Sequence, residues 1–220
     1  MKDKSMNNKV IWLIDENKSE LRAFQRELAR RLGNNVKVEA LDPYNKIQDY
    51  VKGVLSDDRT VAIIIDQKLK DTGKVHYTGI ELAEYLRGIK PKLPIYILTN
   101  FPDPDIFSGK ELNVEYILDK SDFKDDAKAK TIAARILRHI DTYTDILSER
   151  GQRFEKILEK SMKHKLTKDE YDELEQLKYI RLSPILASEL EKAQELEKTI
   201  SANQKLLTQL KGKKKHAHRN

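Results

Sequence analysis

At 220 residues, 39% of them hydrophobic and 35% charged, the chain is long enough for one ordinary domain with an appendage and too charged for a single compact ball. The absence of cysteine excludes disulfides and thiolate zinc sites, and no apolar run approaches the roughly 20 residues of a membrane span. A cytoplasmic, soluble protein without a membrane partner is expected.

The net charge of +6 is concentrated at one end, where Lys211, Lys213, Lys214, Lys215 and Arg219 follow one another closely. Residues 211–220 read as a basic, solvated, disordered tail, and nucleic acid is not expected as a partner because the remainder is close to neutral. Residues 1–7 lack the apolar core of a signal peptide and read as a flexible N-terminus.

The first apolar run, from Val10 to Ile14, ends in Asp15 and Glu16. It is nearly unalternated, as a strand buried on both faces is. Ser19 to Leu32 follows as a helix with Leu21, Phe24, Leu28 and Leu32 on one face and Gly33-Asn34 as its stop. Val36 to Ala40 is a short second strand, and Pro43 opens a helix through Leu55.

The third strand, Val61 to Ile65, ends in Asp66, and Gly79 to Arg87 is the next helix. Leu93 to Leu98 forms a fourth strand ending in Thr99, after which two prolines and Gly109 permit only a short irregular helix. Val114 to Leu118 closes the series and leads into Asp119 and Lys120. Strands alternating with helices predict an α/β, doubly wound, five-stranded parallel sheet, with its ligand crevice beyond the carboxyl ends of the strands. Three carboxylates, a hydroxyl and an ammonium therefore converge.

This set of Asp15, Glu16, Asp66, Thr99 and Lys120 resembles the receiver domain of two-component response regulators, over about residues 8–140. The resemblance implies the flavodoxin/CheY-like receiver fold, a regulator rather than an enzyme, and phosphoryl transfer onto Asp66. It also implies a histidine kinase or phosphotransfer protein as partner, with Thr99 and Lys120 binding the phosphoryl oxygens. Mg²⁺ is the implied cofactor, held by Asp15, Glu16, Asp66 and the backbone carbonyl of Lys68; such a hard cation takes oxygen ligands.

Several positions depart from that pattern. The acidic pair is Asp-Glu, the stretch from Asp66 to Gly79 is unusually long, Asn100 replaces a small residue and Ile117 replaces a switch aromatic. With Ser121 in place of proline, the Lys120–Ser121 bond is expected trans. The long polar loop suits partner contacts or a lid. These changes touch the relay rather than the site, and leave open a second reading as a phosphorylation-independent adaptor. His76, His139 and His164 are each isolated among charged residues and read as solvated.

From Asp125 the helical period of Ile132, Ile136 and Ile140 continues through Tyr143, Ile146 and Leu147, so the last helix is expected to run on as a stalk, interrupted at Gly151. Thr167 and Glu170 form a capping box for a further helix reaching about Arg181, and Pro184 is expected to kink the chain. Residues 141–210 thus form an α-helical, partly coiled-coil extension. Its heptads place Leu186, Ala193, Ile200 and Leu207 at a and Glu189, Leu196, Asn203 and Leu210 at d. Homodimerisation, a partner protein or an intramolecular helical hairpin would each use such a stripe.

Overall fold

The computed structural model of the chain describes residues 9–71, 73–100 and 113–217. Five strands, β1 (Val10–Ile14), β2 (Lys37–Leu41), β3 (Thr60–Asp66), β4 (Ile95–Thr99) and β5 (Tyr116–Asp119), pair in parallel in the order β2-β1-β3-β4-β5. Every residue of β3 and β4 is buried, which is why those runs carry no polar alternation. The strand order reverses between β1 and β3, and at that switch point the carboxyl ends of neighbouring strands part to form a crevice. Asp15 and Asp66 stand at its two lips.

Among the described residues four α-helices complete the fold: α1 (Lys18–Leu32), α2 (Gly79–Ile89), α3 (Asp126–Lys163) and α4 (Lys168–Ala217). Asn17 caps α1 by accepting from the Ser19 and Glu20 amides, and Thr78 with Glu81 forms a full capping box on α2. Phe24 of α1 meets Phe123 edge-on at 4.5 Å between ring centroids, in the turn just before α3. Arg31 of α1 bonds Asp126 at 3.1 Å, so α1 and the root of α3 are joined side by side.

The expected helix from Pro43 to Leu55 does not form over its first half. Only its last part is helical, residues 49–50 leading into a π-helical turn, Val51–Leu55. Tyrosine packing overrides the local pattern: the Tyr44 ring occupies the space over Gly53 that any Cβ would fill, and Tyr50 accepts from the Tyr44 amide at 3.2 Å. Tyr77 joins this cluster, with its hydroxyl 3.2 Å from that of Tyr50 and donating to the Tyr44 carbonyl at 2.5 Å. The long segment after Asp66 is thereby tied to the body, with Leu69, Val75 and Tyr77 buried. The irregular segment expected after Thr99 lies, from 101 to 112, outside the described residues.

The C-terminal extension also differs in detail. α3 crosses residue 140 and Gly151 without a break; a glycine there weakens a helix by about 1 kcal/mol but does not end one. The Thr167–Glu170 capping box is present, with the Thr167 amide donating at 3.0 Å and the Glu170 amide at 3.3 Å. α4 then continues as helix past Arg181, where its end was expected, across position 184 and on past Leu210 to Ala217. Proline costs one helical hydrogen bond, which the flanking turns survive. The terminal lysines expected in a disordered tail are themselves good helix formers.

α3 and α4 form a hairpin. Ile157 and Leu174 are buried between them, Arg153 pairs with Glu173 and Lys160 with Glu170, and Arg181 lies over the Phe154 ring at 5.4 Å. The hairpin folds back on the sheet domain, where Ser183 donates to the Ile89 carbonyl at 3.1 Å. Beyond that contact, Leu186, Leu190, Leu196 and Ile200 are exposed. None of the described helices is long and apolar enough to cross a membrane.

Candidate functional site

β1 delivers Asp15 and Glu16, β3 delivers Asp66, β4 delivers Thr99, and the turn after β5 delivers Lys120. Asp15, Asp66 and Thr99 are buried and Glu16 is half-buried. One carboxylate oxygen from each of Asp15, Glu16 and Asp66 can be chosen so that all three lie within 4.8 Å of one another. Asp15 Oδ1 accepts from the Asn17 amide at 2.8 Å and Asp66 Oδ2 from the Lys68 amide at 2.7 Å, which holds both carboxylates in one orientation.

Lys120 is the counter-charge. Its Nζ lies 2.7 Å from Asp66, 3.1 Å from Asp15 and 3.0 Å from Glu20. The side chain of Asp119 accepts from the Ser121 amide at 2.7 Å, folding the chain into the short 3₁₀ turn that aims Lys120 inward. The described residues contain no cis peptide.

Crowded carboxylates leave an electrostatic signature. Burial raises the Asp15 carboxyl above its ordinary range, and the charge of Asp66 adds to this. Burial also raises Glu16, assisted by Asp66 and Asp15. For Lys120, burial works against the ammonium, but the hydrogen bond and charge of Asp66, then Asp15 and Glu20, push it upward. Glu16 Oε2 is buried and has no hydrogen-bond partner among the described residues. An orphaned carboxylate oxygen beside two further carboxylates fits an oxygen-seeking divalent cation.

The sequence-predicted residues therefore meet, with different degrees of engagement. The Lys68 carbonyl accepts the Asp71 amide at 3.1 Å. Thr99 sits at the buried end of β4 beside exposed Asn100. Ile117 is half-buried, while neighbouring Tyr116 is exposed and carries Arg135 over its ring at 4.1 Å. His139, expected in solvent, instead stacks on Tyr96 with Nδ1 2.7 Å from its hydroxyl; His76 and His164 are exposed.

Two residues escaped the sequence reading. Glu20 shares Lys120, and its only signal is its place in the first turn of α1, where an acid is favoured by the helix dipole in any case. Gln67 is buried and accepts from the Ile80 amide at 3.1 Å, holding the start of α2 against the end of β3. Gly79 completes that junction, because a Cβ on it would overlap the Asp66 carbonyl.

No family model matches the chain, and no curated protein does. Its fold is similar to solved response regulator receiver domains over about 60% of its length. A receiver domain from Clostridium thermocellum is 18% identical with a TM-score of 0.47, covering 63% of this chain and 98% of that one. The receiver domain of an HD domain-containing protein from Pseudomonas fluorescens is 17% identical with a TM-score of 0.48, covering 63% and 93%. A response regulator from Thermotoga maritima, solved with Mg²⁺ and BeF, is 18% identical with a TM-score of 0.43, covering 56% and 96%.

Proposed function

We propose that the chain is a phosphoacceptor signalling protein in which Asp66 receives a phosphoryl group from a phosphohistidine of a histidine kinase or phosphotransfer protein. The observation that carries this reading is the meeting of three carboxylates, one with an orphaned oxygen, beneath a single lysine at the switch point of the sheet. A structural ion pair would need one acid. Three clustered acids with one base leave negative charge that a divalent cation would neutralise.

Asp15, Glu16, Asp66 and the backbone carbonyl of Lys68 would hold Mg²⁺. The cation, when bound, would offset the repulsion between the carboxylates and an incoming phosphoryl group. An Asp66 carboxylate oxygen attacks phosphorus in line and forms an O–P bond as the donor P–N bond breaks, its electron pair returning to the imidazole nitrogen. Lys120, 2.7 Å from Asp66, pairs with a phosphoryl oxygen. Thr99 donates a hydrogen bond to another. The helices α3 and α4 would pass the change to a protein partner or to a second copy.

Acetyl phosphate with Mg²⁺, followed by intact-mass measurement, tests this directly. The native chain should gain one phosphoryl group and Asp66→Asn none. Equal labelling of both, or no labelling of the native chain at any Mg²⁺ concentration, removes the proposal.

A further inference from the structure

At the opposite end of the sheet from Asp66, the amino ends of β3 and β4, the end of α2 and the α3–α4 hairpin enclose a cleft of about 630 Å³. That is the size of a small-molecule site. Its walls combine two features that together favour an amphiphilic ligand.

One feature is apolar surface left in water. Leu147, Ile180 and Leu182 line the cleft and are each more than 40% exposed, beside buried Leu93 and Tyr143. The other is uncompensated positive charge. Lys90 and Arg150 line the same cleft, both half-buried, and neither has a carboxylate within ion-pair distance among the described residues. Lys92 and Arg181 add two more cations, against Asp58 and Glu155. Burial pushes the Lys90 amine below its ordinary value, with Asp58 and Asp57 too far away to do more than temper it. A desolvated ammonium that lacks a partner is costly, and an anion supplied from outside relieves that cost.

We infer that this cleft binds a small amphiphilic organic anion, its apolar or aromatic body against Leu93, Tyr143 and Leu147 and its acidic head between Lys90 and Arg150. Charge decides the class, since the lining carries two net positive charges. The apolar walls exclude a bare inorganic ion, which would leave them wet. The site is separate from Asp66 and does not depend on phosphoryl chemistry there.

The probe is 8-anilinonaphthalene-1-sulfonate, an aromatic sulfonate whose fluorescence rises in apolar surroundings, titrated into the full chain with laurate as a non-fluorescent competitor. One saturable site per chain, displaced by laurate, is expected. Arg150→Gln and Lys90→Gln should each weaken the probe by about tenfold, the usual cost of losing one charge-assisted bond. Leu147→Trp, at an exposed position outside the core, should block the cleft while leaving the melting temperature within a degree or two. It therefore answers the question even if Lys90→Gln fails to fold. Non-saturable binding, or binding unaffected by both Arg150→Gln and Leu147→Trp, overturns the inference. Asp66→Asn should leave the titration unchanged, so this result and the phosphorylation result fall independently.

Discussion

Gly79 opens α2 directly against the backbone carbonyl of Asp66, so closely that a methyl group on its Cα would overlap that oxygen. The Gly79 amide donates to the Gln67 carbonyl at 3.1 Å, closing the long excursion that leaves β3 and returns. The candidate phosphoacceptor is thus held from behind by the helix that follows it.

Gly79→Ala should destabilise the chain by about 1–3 kcal/mol, the range for overpacking a tight site, and slow acetyl phosphate labelling by displacing Asp66. Gly151→Ala is the control. Nothing lies within 4 Å of a Cβ there, and alanine in a helix interior should add about 0.5–1 kcal/mol. Thermal melts of both variants, read against the native chain, check the pair.

Lys120→Ala should lower labelling and also stability, by about 2 kcal/mol at neutral pH. A fully buried pair broken on one side costs roughly 3–5 kcal/mol, and Lys120 keeps some exposure. Polar residues at strand ends bury little apolar surface, but here Asp15 and Asp66 are themselves buried and lose their counter-charge. The deficit should shrink as pH falls through the folded value of Asp15, which burial and the charge of Asp66 raise above 3.8, because protonation removes the unpaired charge. A deficit independent of pH would show that Lys120 acts through packing alone.

Glu16→Gln should raise the melting temperature at pH 7 without Mg²⁺. A carboxyl whose folded value is raised stabilises the fold below its unfolded value, near 4.5, and that contribution is lost as pH climbs through the folded value. The glutamine carries no such loss, so the two proteins should converge in acid. Mg²⁺ should stabilise the native chain more than the variant, since a cation that binds only the folded state raises stability by mass action.

The exposed stripe of Leu186, Ala193, Leu196 and Ile200 on α4 should drive association of two chains. Light scattering at tens of micromolar should give a mass above the 25.6 kDa of one chain, and Leu196→Glu should return it to that value with the melt of the sheet domain unchanged. A native chain that stays monomeric would leave the stripe to a different protein.

The strands and the ends of the strands were legible because burial on both faces forbids polar residues until the chain emerges into the crevice. Asp66 after Thr60–Ile65 is visible for that reason. Tyr44, Tyr50 and Tyr77 were not: their cluster joins segments some thirty residues apart, and no local period reports it. His139 belongs to the same class, since its ring is claimed by Tyr96 across 43 positions. Glu20 looks in sequence like any solvated helix acid, and only the fold brings Lys120 to it.

The 38 residues of α3 span about 57 Å at 1.5 Å per residue, and the helix is rooted one short turn from Lys120. As a free rod it would turn a tilt of about 10° at its base into a sweep of about 10 Å at its tip. It is not free. α4 runs back down its side as a strut and lands on the Ile89 carbonyl through Ser183, so root, tip and landing point make a triangle. A side of a braced triangle cannot tilt unless a joint gives, and the joint at the end of the sheet opposite Asp66 borders the cleft, which Ile89 and Ser183 line.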